Sequence, residues 1–301
     1  MFKRGTKCRI LTWDELLDHL APALVEYNDG LDADKKIIKT STLKDADSWA
    51  VVGYDSDDNL FITLAEQYGY GYTSINEQTG AGNIDFVNDG MKGLMTKLNG
   101  AYKEHLFTTS NILGDRCNNI FTQSGMIFSI GSTGGVSYQF SESAPMDVGV
   151  ARLPQATHDE EDWAVINQGP SLAFMRRDKE KELYAEMTWK LYKEITEPAI
   201  ASQWAIDTGY TPIRRSTADT KEYMDLMNEN AKKLKTFDRL KARNAKYAIG
   251  IGDYLFSSVV YLGSSKAREA VGKLAGEVIK EENLTPAKLN ESFENARKAA
   301  I

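Results

Sequence analysis

The chain has 301 residues, 42% hydrophobic and 26% charged, with seven prolines. That describes a globular protein with room for one large domain or two lobes, and it excludes disordered and fibrous classes. With 36 basic and 43 acidic side chains the net charge is −7, which argues against a nucleic-acid surface, since that needs a concentrated basic patch. Cys8 and Cys117 are the only cysteines, so a disulfide framework is excluded. No His-rich context suggests zinc, and both read as incidental thiols.

The start, "MFKRGTKCRIL", is basic, but Thr12-Trp13-Asp14-Glu15 follows where a signal peptide would place its apolar core. "TWDELLDHLAPALVEY" (12–27) opens with a capping box, Thr12 with Glu15, and sets Leu16, Leu17, Leu20 and Leu24 on one helical face. After a turn at "NDG" (28–30), "LFITLAEQYG" (60–69) reads as a short helix ending at Gly69. A longer helix is predicted from about Ile84 to Leu106, with Val87, Met91, Leu94, Met95, Leu98 and Tyr102 as its apolar stripe.

The period then changes. "GMIFSIG" (125–131) reads as a buried strand, and "DVGVARLP" (147–154) as an alternating one stopped by Pro154. "WAVINQG" and "SLAFMRR" are strand-like pieces flanking Gly169-Pro170. From Asp178 onward helix dominates. "DKEKELYAEMTWKLYKEI" spaces Leu183, Met187, Leu191 and Ile195 four apart. "PAIASQWAIDTG" follows, its stop at Gly209 flanked by Trp204 and Tyr210, with Pro212 barring continuation. "RLKARNAKYAIGIGDYLFSSVVYL" and "KAREAVGKLAGEVIKEE" are read as helices. The last helix takes Thr285 as N-cap and Pro286 at its first position. The apolar stretch around 247–263 is interrupted by Asp253 and two serines, too mixed to span a bilayer. A few strands among many helices give an α/β or α+β class.

Three segments bear on chemistry. In "DSDDNLFITLAE", Asp55, Asp57, Asn59 and Glu66 occupy positions 1, 3, 5 and 12 of a calcium loop, but Leu60 stands where position 6 requires Gly. The mismatch favours a solvated acidic loop capping the helix at 60. "IGSTGG" (130–135) follows a strand, and its amides and hydroxyls suit an anion or a sugar hydroxyl as well as a tight turn. It lacks the Gly-Lys-Ser/Thr ending of a phosphate loop. "GIGDYL" (250–255) is no dinucleotide fingerprint. His19, His105 and His158 stand alone, and no nucleophile elbow occurs. Five Trp and 14 Tyr are the richer signal; such rings serve as core or surface filler, and also as faces for sugar rings to stack on.

Taken in order, "TWDEL", "GMIFSIGSTGG", "DVGVARLP", "INQGPSLAF" and "WAIDTGYTPIRRS" resemble the extracellular solute-binding proteins of ABC importers, the carbohydrate-type family 1 group. The resemblance covers nearly all of 12–301. It implies a helix-rich α/β fold of the type II periplasmic-binding-protein kind, with two lobes joined by hinge strands and a ligand held in the cleft. It implies a non-enzymatic role without cofactor: binding a carbohydrate or polyol and delivering it to the membrane subunits of an ABC permease. The place implied is the outer face of the cell membrane or the periplasm. In the family "TWDEL" comes after most of the first lobe, so the resemblance assigns 10–165 and 217–301 to the second lobe. The returning portion of an incomplete first lobe is assigned 166–216. The chain is expected to be truncated, or to have the missing half supplied elsewhere, with signal peptide and lipid-anchor Cys lost along with it.

On this reading the ligand is met by Asp57, Asp58, Asn59 and Phe61, by Ser132, Thr133 and Gly134, and by Asp253 and Tyr254 in the "GIGDYLF" helix. Trp204 and Tyr210 face or brace the cleft. The stripe Leu183, Met187, Leu191 and Ile195, which ought to pack on a first-lobe sheet, is expected with Trp204 to be unusually exposed, with poor ligand binding and self-association or loss of order between 166 and 216. Two other readings stand beside it. A glycoside-processing enzyme would need two carboxyl groups about 5 to 9 Å apart. A calcium module would need its oxygens to converge within roughly 2.3 to 2.6 Å of a cation.

Overall fold

In the computed structural model, which describes residues 10–169, 172–175, 182–228 and 234–301, the capping box forms as its residue types dictate. The Thr12 amide donates to Glu15 Oε2 at 3.0 Å, and the Glu15 amide to Thr12 Oγ1 at 3.1 Å. A π-helical turn, Glu15–Leu20, runs into α1 (Ala21–Asp29). Cys8, the ends of "SLAFMRR" and the start of the Asp178 helix lie outside the described residues.

Strand β1 (Val52–Tyr54) feeds α2 (Asp57–Gln67), which starts three residues before the predicted Leu60. Two short strands, β2 (Thr73–Ile75) and β3 (Gly82–Ile84), then pair antiparallel. This hairpin takes the place of the predicted start of the long helix. Asn76 builds its turn, its side chain accepting from the amides of Gln78 and Thr79. Helix α3 (Asp89–Lys103) begins only after Asn88, whose side chain accepts from the Met91 amide. Then follow β4 (Phe107–Thr109), α4 (Ser110–Leu113), α5 (Cys117–Thr122) and β5 (Phe128–Ile130).

Segment 147–154 has no strand, contrary to its alternation. It runs to Gln155, which pairs with Thr12 and Trp13 instead of joining a sheet. Val165–Ile166 forms β6, while 172–175 is not a strand. Helices α6 (Glu182–Ile195), α7 (Pro198–Thr208), α8 (Arg215–Ala218), α9 (Lys221–Leu226) and α10 (Thr236–Gly250) follow. The helix predicted through "GIGDYLFSSVVYL" stops at Gly250. Gly250 and Gly252 weaken it, and the chain makes a 3₁₀ turn, Gly252–Tyr254, into β7 (Leu255–Phe256). Helices α11 (Ser264–Ile279) and α12 (Pro286–Ala299) close the chain, the latter capped by Thr285. No helix of the described residues is long and apolar enough to cross a membrane.

The chain divides into two compact units. Unit 1 comprises Met1–Gly131, Arg152–Ile166 and Tyr254–Ile301; unit 2 comprises Ser132–Ala151 and Asn167–Asp253. This differs from the lobes expected from the sequence, because 132–151 and 217–253 go with unit 2. The reason lies in α10. Asn244 donates to the carbonyls of Thr133 (3.2 Å) and Gly209 (3.1 Å), and Arg243 to Asp147 Oδ1 and the Val148 carbonyl.

In unit 1, β1 is the centre of a three-stranded parallel sheet ordered β4-β1-β5, with Val52 opposite Phe107 and Phe128. Helices α2, α3, α11 and α12 pack into one core around Phe61, Phe86, Met91, Met95, Leu274 and Phe293, all essentially inaccessible. A second parallel pair joins β6 and β7, Val165 opposite Leu255 and Ile166 opposite Phe256. In unit 2, Ala205, Tyr223 and Ala245 form a small core from α7, α9 and α10.

Candidate functional site

Parallel strands open their C-terminal ends to ligands, because the following loops and helix N-termini present amides and short polar side chains there. In unit 1 the ends of β1 and β4 carry Asp55, Asp57, Asp58, Thr109 and Ser110. Most of their polar atoms are engaged within the unit. Ser110 Oγ donates to Asp55 Oδ1 at 2.8 Å, and the Cys117 amide to the same oxygen at 3.0 Å. Thr109 Oγ1 donates to Asp57 Oδ1 at 2.6 Å.

Asp57 is 1% exposed, and its Oδ2 finds no hydrogen-bond partner. Burial pushes its carboxyl above the usual value, opposed by the Thr109 hydrogen bond. Asp58 receives Arg268 from α11, Nε to Oδ2 at 2.5 Å, and Asn59 Oδ1 accepts from the same guanidinium. Gly272 eases this approach of α11, since a Cβ there would sit 3.3 Å from Asp58 Cβ.

Of the four unit-1 residues predicted around the start of α2, Phe61 requires a correction. It is fully buried, edge-on to Phe86 at 5.7 Å and tilted against Phe293 at 6.2 Å; its apolar ring belongs to the core. Asp57 likewise lies inside the unit, while Asp58 and Asn59 fasten α2 to α11. The calcium constellation does not assemble. Asp57, Asn59 and Glu66 are all on one helix, which cannot wrap a cation as a loop does. Among the described residues no three His, Cys, Asp or Glu gather as metal ligands.

A different group in unit 1 presents aromatic surface. Trp163 and Tyr254 meet edge to face with ring centroids 5.2 Å apart, and the exposed Arg152 sets its guanidinium 5.3 Å from both centroids. Trp163 is fixed by donating its indole N–H to the Thr157 carbonyl at 3.2 Å. Tyr254 is positioned by the turn into β7 and Trp163 by the approach to β6, so strand pairing holds the corner. Sequence reasoning named Tyr254 alone. Arg152 was hidden in a segment read as a strand, and Trp163 in the run leading to β6.

In unit 2 the predicted loop and the predicted helix stop come together. Gly209 closes α7 in the left-handed conformation, φ +77°. Tyr210 then covers Gly134, where a Cβ would lie 2.7 Å from ring carbons. The Ser132 hydroxyl accepts from the Gly134 amide at 3.2 Å, and Asn244 ties Thr133 to Gly209 from below. Asn244 went unrecognised, although an Asn on the buried face of an amphipathic helix, beside Leu240 and Ala248, was a legible signal. Tyr210 and Trp204 are both exposed, at 51% and 66%. Asp253 pairs with Arg215 at 3.3 Å, both side chains solvated.

No protein-family profile matches the sequence, and no curated protein does. Solved structures do. Maltose-bound MalE3 of T. maritima matches at TM-score 0.61 and 14% identity, over 98% of this chain and 66% of that one. The cyclic α-maltosyl-1,6-maltose binding protein of Arthrobacter globiformis matches at TM-score 0.55 and 13% identity, over 92% and 67%. UgpB of Mycobacterium tuberculosis, in complex with glycerophosphocholine, matches at TM-score 0.52 and 15% identity, over 84% and 57%. The chain thus spans roughly three-fifths to two-thirds of the length of these structures. What the likeness establishes is the architecture: a helix-rich α/β chain with the fold of the periplasmic binding proteins.

Proposed function

We propose that the protein is a solute-binding component of an ABC importer, without catalytic activity, that takes a carbohydrate or related polyol at the outer face of the membrane or in the periplasm. It then delivers that solute to a membrane permease. The observation that carries the reading is the Trp163–Tyr254 corner with Arg152 beside it. Aromatic faces cover the apolar side of a sugar ring, and a guanidinium offers planar N–H donors to its hydroxyls. In unit 2 the reading draws on Tyr210 over the Ser132–Gly134 loop, on Trp204 and on Asp253. Asp58 and Asn59 act by holding the start of α2 in place. The fold likeness supports a binding role in general, and membership of the family 1 group is part of the proposal.

Isothermal titration against mono- and oligosaccharides, polyols and glycerophosphodiesters tests it. Binding by one class, lost in Trp163→Ala and Tyr254→Ala, is the expected result. Silence across the sugars and polyols overturns the carbohydrate assignment, and silence across the whole panel overturns the binding role.

A further inference from the structure

In the unit-1 corner Trp163 spends its indole N–H on the Thr157 carbonyl at 3.2 Å, so what it offers a ligand is its ring face. Asp162, the residue before it, accepts from the Thr157 hydroxyl at 3.1 Å. Tyr254 meets Trp163 at an interplanar angle of 60°, and the Arg152 guanidinium lies over both rings at once, 5.3 Å from each centroid. The backbone beside Arg152 is anchored: Leu153 is buried, and the Pro154 carbonyl accepts from Gln67 at 3.1 Å. Aromatic faces attract cations because the ring quadrupole is negative there, and such ring pairs are what quaternary ammonium groups seek. Here the protein's own positive charge holds that place.

We propose, on the basis that this corner meets the ligand, that Arg152 sets its specificity: the corner refuses quaternary ammonium headgroups and admits neutral polyols. A sugar brings C–H faces and hydroxyls without formal charge. It can lie against the rings beside the guanidinium and accept hydrogen bonds from the planar N–H groups. A tetraalkylammonium group has no acceptor to offer and meets a like charge. It must displace Arg152 from two rings before it reaches either, and such a repulsive element discriminates as well as an attractive one. Removal of the guanidinium reverses the preference, since two ring faces and the Asp162 carboxylate then remain.

Titration of the full chain with tetramethylammonium, followed at the Trp163 indole resonance, tests this; Trp163→Phe identifies the resonance by its loss. The unmodified protein should leave that resonance unmoved across the millimolar range. Arg152→Gln should bind the cation at least about fivefold more tightly, the worth of cation–π contact at an exposed site, and should bind sugar more weakly. Arg152→Lys, which keeps the charge, should refuse the cation as the unmodified protein does. Arg152 is exposed, so these changes leave the fold intact, as a thermal melt would verify. Tetramethylammonium bound equally by the unmodified protein and Arg152→Gln, or by neither, overturns the proposal, and so does Arg152→Lys as permissive as Arg152→Gln. A cation contrast without any sugar binding would instead remove the carbohydrate assignment and leave the role of Arg152 standing.

Discussion

Tyr210 covers Gly134 so closely that the smallest side chain there would stand 2.7 Å from the ring. The contact joins the residue after a helix stop to a loop that begins 78 positions earlier at Ser132. It depends on Gly134 having no Cβ. Gly134→Ala should push the ring outward. Because the ring is half exposed and free to swing, stability should change by less than about 1 kcal/mol. Ligand affinity should fall up to about tenfold, the worth of one aromatic contact. Calorimetry and thermal melting on the same preparation separate the two effects.

Trp163→Ala removes one face of the unit-1 corner and releases Arg152 from one of its two rings. A loss of more than about 1 kcal/mol in binding, fivefold or greater, is expected if the ring carries the ligand. Tyr254→Phe keeps the ring and should retain most of the affinity. A loss in Tyr254→Phe as large as that in Tyr254→Ala would point to the phenol hydroxyl rather than to stacking.

Asp57 links pH to stability. Burial raises its folded pKa above the ordinary carboxylate value. The folded chain therefore holds that proton more tightly than the unfolded one. Its contribution is fully present below the unfolded pKa and is lost as pH rises through the raised folded value. Asp57→Asn keeps an oxygen to accept from Thr109 and abolishes the ionisation. Relative to the unmodified protein, the variant should gain stability as pH rises from the unfolded value through the folded one, and the difference should then level off. Urea titrations at several pH values measure it, and a flat difference would dismiss the linkage.

Phe61→Ala should cost about 3–5 kcal/mol, as removal of a fully enclosed aromatic does, and should unfold unit 1 first. Asn244→Ala strands the Thr133 and Gly209 carbonyls in unit 2, at a cost of about 1–3 kcal/mol. Hydrogen exchange read separately over the two units distinguishes these effects.

Much of this was legible because it is local. The Thr12–Glu15 box, the Gly209 stop and the Thr285 cap are each decided within a few residues, and each formed. The hairpin at 73–84 escaped notice because its strands are three residues each, too short for a period to show. The 147–154 segment misled because alternation shows an extended chain without saying whether a partner strand exists. At the candidate site, Tyr254 was readable as an aromatic, but Trp163 and Arg152 join it only through the β6–β7 pairing. Phe61 looked available beside three polar residues, yet Phe86 and Phe293 enclose it, and neither is near it in sequence.

The last of those pairings bears on how the chain is made. Phe61 sits against Phe293, and β6 waits for β7, so the core of unit 1 cannot close until Phe293 has left the ribosome. At roughly 5–20 residues per second, some 10–50 s separate the synthesis of Phe61 from that of its neighbour. Throughout that interval the apolar faces of α2 and α3 are open to any holdase in the compartment. Protein production should therefore respond to chaperone supply and to translation speed between the codons of α3 and those of α12.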